Sequence, residues 1–184
     1  RGRMGRRVRC LGGHPGIKGD RGPSALDWAI QEGRATWGVT VLIANGEMDA
    51  GDIVASVGFP LREAAKSSIY RNELTEAAVG AVRLAFARLA DRGFRPEPLD
   101  YTRPGVRGRW RPPMKQADRA IDWTVDSTAT VLRKIRAADG IPGVRDEMLG
   151  IACQLFDAHA EPASGSEFAL ARPGAIIAQR DGAI

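Results

Sequence analysis

Gly38-Val39-Thr40-Val41-Leu42-Ile43-Ala44 decides how this chain folds. Its β-branched residues suit a pleated, half-buried surface, so it predicts a strand. The turn Asn45-Gly46-Glu47-Met48-Asp49-Ala50-Gly51 follows, and Asp52–Pro60 alternates as a returning strand. The pair reads as a β-hairpin whose long loop carries Asp49, and loops of that length are more often functional than two-residue turns. A long helix is predicted from Ser67 to Asp91. Leu74, Ala77, Ala78, Ala81, Val82, Ala85, Phe86 and Leu89 recur at helical spacing on one face, and Gly93 closes it as a C′ residue. A helix against a hairpin reads as the end of an α/β unit.

Upstream, His14-Pro15-Gly16-Ile17-Lys18-Gly19-Asp20-Arg21-Gly22-Pro23 is a glycine-rich loop. Ser24 then caps a short helix, Ala25–Gln31, with Asp27 completing a weak capping box. Residues 1–13 lack a period and read as irregular. Downstream, Pro96, Pro98, Pro104, Pro112 and Pro113 mark a linker. A second unit follows: Asp126-Ser127 cap a helix, Thr128–Ala138, with Val131, Leu132 and Ile135 on one face. Strands are expected at Ile151–Ala158 and Gly174–Gln179, with a turn at Asp181-Gly182. The chain thus divides into residues 1–13, 14–95, 96–114 and 115–184.

The 184 residues are 43% hydrophobic, enough for a core, and no run approaches the roughly 20 apolar residues of a membrane span. The N-terminus lacks the apolar segment of a secretory signal. Cys10 and Cys153 are the only cysteines, read as reduced thiols of a cytoplasmic protein, and no Cys/His cluster suggests a metal. Arg1, Arg3, Arg6, Arg7 and Arg9 are five of the 27 basic residues, and the 22 left equal the 22 acidic ones. The net charge of +5 is therefore an N-terminal run on a neutral body. Such a run can bind phosphates, which makes a nucleic-acid-binding module one reading of the chain.

His14 and Asp49 are the minimum set for moving a proton during acyl transfer. Without further context, His14 equally serves as a loop cap and Asp49 as a turn residue. Asp20 and Arg21 decorate the loop and either hold an anionic substrate or shape the loop through an Asp20–Arg21 or Asp20–backbone contact. Lys18 reads as solvated, Asp52 as the start of the return strand and His159 as surface. Trp28, Trp37, Trp110 and Trp123 read as packing residues. Arg107, Arg109 and Arg111 flank Trp110 as a basic, aromatic linker that suits RNA stacking, but solvation is the expectation. The loop's glycine spacing does not match a dinucleotide fingerprint, and no strand is expected before it.

His14-Pro15, Gly38-Val39-Thr40 and Met48-Asp49-Ala50-Gly51, followed by Lys115-Gln116-Ala117-Asp118-Arg119-Ala120-Ile121-Asp122-Trp123, resemble the formyltransferases that use 10-formyltetrahydrofolate. The wording from His14 to Ile30, with Arg133–Gly143, is similar to the hydrogenase-maturation branch of that family. The resemblance spans roughly residues 14–184. It implies an α/β fold: the C-terminal half of a Rossmann-like formyltransferase domain, followed by a small OB-like, β-rich domain. It implies 10-formyltetrahydrofolate as donor, coenzyme A as acceptor, hydrogenase maturation proteins as partners, and supply of the carbonyl ligand of nickel–iron hydrogenase. It assigns His14 to the oxyanion, Asp49 to orienting His14 and relaying a proton, and Gly16, Asp20 and Arg21 to substrate binding. Methionyl-tRNA formyltransferase is the runner-up. Two departures accompany it. The family places an Asn where this chain has Gly12, and it has about half its sheet ahead of the His loop, where this chain has 13 residues. The chain is therefore expected to be a fragment, inactive by itself in one reading, with residues 1–13 outside the family's own sequence.

Overall fold

The computed structural model describes residues 10–139, 143–160, 171–172 and 174–177. The predicted hairpin forms from Thr36–Ile43 (β2) and Ile53–Pro60 (β3), antiparallel, with a register shift at Val41/Leu42. A further strand, Leu11–His14 (β1), pairs antiparallel with β2 and completes a sheet of order β1-β2-β3. This corrects the irregular reading of residues 11–13 and puts a strand before the His loop. Gly12 and Gly13 leave no side-chain period to detect, so only the pairing with β2 reveals β1. Gly51 closes the long loop where nothing larger fits, since a Cβ there would lie 1.6 Å from the Ile43 carbonyl oxygen. Gly51→Ala is expected to lower stability by more than about 1 kcal/mol, read as a fall of several degrees in melting temperature.

The core joins Trp37, Val39, Val41, Val54, Ala55 and Phe59 of the sheet to Leu26 and Ile30 of Ala25–Gln31 (α1) and to the following helices. Where one helix is predicted, the run is Lys66–Ile69 (α2), a π-helical turn Tyr70–Leu74 and Thr75–Ala90 (α3). Within α3 the buried stripe is narrower than the predicted face. Leu74, Ala77, Ala81 and Ala85 are buried, whereas Val82 and Phe86 of the predicted face are exposed, Phe86 by 64%. The alanines let α3 lie close on the sheet and leave no space there for the larger side chains. Gly93 does not adopt the left-handed C′ conformation; its N–H donates to Asp91 Oδ1 at 2.8 Å. Ser24 makes no capping bond: its Oγ accepts from the Met114 N–H, and Asp27 pairs with Lys66 and Arg119. Both side chains dock the downstream segment, which sequence spacing cannot reveal.

The linker docks on the body through its backbone, while Arg107, Arg109 and Trp110 stay exposed to solvent, as expected of a solvated linker. Glu97 exchanges two backbone bonds with Ile53, and the Gly108, Arg21 and Arg111 N–H groups donate to Lys18 O, Arg109 O and Arg21 O at 2.9, 3.1 and 2.8 Å. Residues 97–111 thereby form a strap across the His loop, with Val106 and Arg111 buried. Among the tryptophans, Trp37 is buried, Trp28 donates to Pro112 O, Trp123 donates to Asp146 Oδ2, and Trp110 is exposed rather than packed.

In the second unit Ser127 Oγ caps Thr128–Ala137 (α4) by accepting the Thr130 N–H. Leu132 and Ile135 of α4 are buried, Ile135 against Val144. Val144–Met148 (β4), not predicted, pairs antiparallel with Ile151–Leu155 (β5). Its charged composition hides it; only Val144 is buried. Leu149 and Gly150 both take positive φ, 54° and 77°, as a tight two-residue hairpin demands. Residues 174–177 of the predicted last strand are not in a strand, and residues 178–182 lie outside the described residues, as does the Arg-rich run 1–9. Among the described residues no helix is long and apolar enough to cross a membrane.

Candidate active site

His14 ends β1 opposite Thr40, and the loop after it folds back under its ring. Trp37 Nε1 donates to Pro15 O at 2.9 Å and Thr40 Oγ1 donates to Gly16 O at 2.8 Å, so β2 anchors the loop just ahead of its turn. Gly16 makes room for the imidazole, because a Cβ there would sit 2.4 Å from His14 Nε2. The chain then closes a turn through Asp20 N–H to Ile17 O, at 2.9 Å, and brings the Asp20 carboxylate to the ring.

The histidine lies between two carboxylates. Nε2 is 3.2 Å from Asp20 Oδ1 and Nδ1 is 3.2 Å from Asp49 Oδ2. His14 is 3% exposed and the Asp20 side chain fully buried, while the Asp49 side chain keeps 22% exposure. Asp49 reaches inward from the hairpin loop with φ 54°, a left-handed conformation that Asp tolerates better than most residues. Its Oδ2 also accepts the Gly22 N–H at 3.1 Å. Arg21 donates to Met48 O at 2.9 Å and reaches Glu47, tying the His loop to the Asp49 loop.

All five predicted site residues are thus brought together, with changes of partner. The Asp20 carboxylate is answered not by Arg21 but by Arg111, whose Nε donates to Asp20 Oδ2 at 2.7 Å. Arg111 is 3% exposed, holds Glu32 through two further N–H groups at 2.5 and 3.1 Å, and lies 5.6 Å from the centre of the Trp37 ring. Arg109 also turns to Glu32, at 2.7 Å. Lys18, expected to be solvated, pairs with Glu97 at 2.6 Å. Asp52 lies one residue ahead of the return strand rather than starting it, its carbonyl accepting the Ile43 N–H, and His159 is exposed beside Asp157. Glu32 and Arg111 were invisible as site residues. The one hint was the alternation Arg107, Arg109, Arg111, which places the three side chains alike along an extended, proline-bounded segment.

Burial opposes ionisation of Glu32, but hydrogen bonds from Arg111 and Arg34 outweigh it and bring its carboxyl from 4.5 to about 2. For Arg111 burial works against the charge, and bonds to Glu32 and Asp20 overcome it, raising the pKa. A carboxyl depressed on folding stabilises the protein above its unfolded pKa and loses that contribution as pH falls through the folded one. Glu32→Gln is therefore expected to cost about 1–3 kcal/mol near neutrality, the range for charged hydrogen bonds. The gap to wild type should hold above pH 4.5 and shrink toward pH 2, as read by denaturant unfolding across that window.

Carboxylate oxygens only accept, so a ring nitrogen that bonds to one must carry the hydrogen. Nε2 meets Asp20 Oδ1 within hydrogen-bond geometry, and Nδ1 faces Asp49 Oδ2 at ion-pair distance. The constellation is thus a compact relay whose accessible end is Asp49. Among the described residues no His, Cys, Asp or Glu group is arranged to hold a metal ion. A groove of about 630 Å³ runs beside the loop, walled by Ile17, Trp37 and Phe59 and edged by Lys18, Arg34 and Arg107.

Residues 113–184 match the family model for the formyl transferase C-terminal domain. Over 97% of its length the chain is 54% identical to hydrogenase maturation factor HoxX of Bradyrhizobium diazoefficiens, covering 30% of that protein. It is 27% identical to a methionyl-tRNA formyltransferase of Ralstonia nicotianae, over 86% of the chain and 46% of the relative. Among solved structures, HypX of Aquifex aeolicus in complex with tetrahydrofolic acid matches at TM-score 0.80 and 43% identity, over 95% of the chain and 29% of HypX. A sugar N-formyltransferase of a Shewanella species, 18% identical over 85% of the chain and 63% of that protein, shares the fold at TM-score 0.59. The chain spans less than a third of HoxX and HypX and less than half of the tRNA-modifying relative.

Proposed function

We propose that this chain, whose residues 113–184 match the formyl transferase C-terminal domain and which is similar to HoxX and HypX, takes part in formyl transfer from 10-formyltetrahydrofolate during maturation of a nickel–iron hydrogenase. The thiol of coenzyme A is the acceptor in this reading, the carbonyl ligand of the metal centre the destination, hydrogenase maturation proteins the partners and the cytoplasm the location. The observation that carries it is the buried His14 held between Asp20 and Asp49. Tetrahydrofolic acid bound to HypX supports the choice of donor.

Formyl transfer passes through a tetrahedral oxyanion, which needs a donor aimed at it. Asp49, the exposed end of the relay, takes the proton of the attacking thiol as the new bond to the formyl carbon forms. The His14 Nδ1–H turns from Asp49 to the oxyanion. When the intermediate collapses, the bond to the folate nitrogen breaks and the proton held by Asp49 goes to that nitrogen. Gly16 and Arg21 keep the loop in place for the folate, and Asp20 holds the ring from behind.

The test offers 10-formyltetrahydrofolate to the protein with coenzyme A, with charged methionyl-tRNA and with neither. Tetrahydrofolate release is followed by absorbance and the acceptor product by mass. Formyl-coenzyme A is the expected product. Formyl-methionyl-tRNA would move the assignment to the tRNA-modifying enzymes, to which the 27% identity already points. No turnover by folded protein in any arm would sink the reading.

A further inference from the structure

Arg111 belongs to the strap, 91 positions from Asp20, and no catalytic motif includes it. Yet it is the cation that holds the floor of the site. Asp20 has no exposed side-chain surface and two side-chain partners, His14 at 3.2 Å on Oδ1 and the Arg111 guanidinium at 2.7 Å on Oδ2. A buried carboxylate with one weak partner is costly, and the guanidinium makes the ionised state tenable. Arg111 is itself fixed on three sides: by Glu32, by the Trp37 face, and by its own N–H, which donates to Arg21 O. The groups that set the charge around the ring are therefore Asp20, Asp49, Arg111 and, through Arg111, Glu32.

We infer that Arg111 is a positioning residue of the His14 site: by holding the Asp20 carboxylate in place it fixes the ring and its protonation, and makes that state depend on docking of the strap. This rests on the formyl-transfer reading for its rate consequences, but not for its effect on the ring. The strap is stitched to the His loop at Lys18, Arg21 and Asp20, so lifting it would remove the cation and free the loop together. A Cβ on Gly108 would lie 1.8 Å from the Asp20 nitrogen, so the strap lies directly on the residue it controls.

The experiment compares wild type with Arg111→Gln and Arg111→Lys. Ring 15N spectra across pH are well suited, because His14 and His159 are the only histidines. Removing a positive charge raises the proton affinity of neighbouring groups. In Arg111→Gln the His14 titration and the acid limb of the kcat profile are both expected to move up by about one pH unit, with His159 unchanged. The kcat should fall about 10–100-fold, the usual effect of losing a residue that orients a reacting group, with KM within about threefold. Arg111→Lys should return the titration toward wild type while recovering only part of the rate, since a point charge cannot bridge Asp20 and Glu32 as the planar fork does. Lower melting temperature with unmoved titrations would make Arg111 merely structural and overturn the inference. If Arg111→Gln fails to fold, the lysine variant decides: unchanged ring signals and unchanged kcat there also overturn it. If the 15N shift occurs but no variant, nor wild type, transfers formyl groups, the positioning role stands and the functional reading falls.

Discussion

His14→Ala is expected to lower the rate of formyl transfer by about 10²–10⁴-fold, the range for losing a group that donates or accepts a proton in the transition state. The loss should fall on kcat. The methyl group leaves the oxyanion without its donor and cuts Asp49 off from Asp20, whereas folate contacts made elsewhere survive. The fold should tolerate the change, because Asp20 keeps Arg111 at 2.7 Å and β1 keeps its backbone pairing with β2. Steady-state kinetics with 10-formyltetrahydrofolate, beside a melting curve, tests this. A folded variant that turns over near the wild-type rate would remove His14 from the mechanism.

Asp49→Asn should cost about as much, 10²–10⁴-fold in kcat, for a different reason. The amide oxygen can still accept the Gly22 N–H that Asp49 Oδ2 accepts at 3.1 Å, so the loop junction survives. What disappears is the base at the accessible end of the relay. Asp49→Ala removes both functions. It should match the Asn variant in rate and lose in addition about 1 kcal/mol of stability, the usual worth of one hydrogen bond. The comparison separates chemistry from architecture: a rate that falls only in Asp49→Ala, together with stability, would make Asp49 a turn residue after all. The reserve of left-handed backbone at Asp49, φ 54°, persists in both variants, and Asn carries it better than Ala.

The candidate site was half legible. His14, Gly16, Asp20, Arg21 and Asp49 can be named because they sit in two short stretches whose wording resembles a known family's, while turn chemistry by itself leaves their roles open. What the residues around Asp20 would do was not legible. Its partner could have been the adjacent Arg21, but that side chain crosses to Met48 and Glu47. From the sequence Arg111 reads as a solvated linker arginine, and no local signal marks Glu32. Both follow from the docking of a segment whose own sequence, rich in proline and arginine, carries no apolar period. The same limit applies to α3, where spacing places Val82 and Phe86 in the core, but the close packing of Ala77, Ala81 and Ala85 on the sheet leaves them outside.

By itself the sequence determined the elements whose signals are local. β-branched runs specify β2 and β3, and Ser127 caps α4. Only the tertiary structure decided which charges meet. Strand β1 exists because β2 offers it hydrogen bonds, and the strap lies on the His loop because backbone groups pair across it. Arg111 reaches Asp20 because those pairings bring together side chains 91 positions apart. Local propensity acts between near neighbours in the chain, whereas the desolvated contact of a guanidinium with a carboxylate exists only once both have been carried out of water by the packing of everything between them.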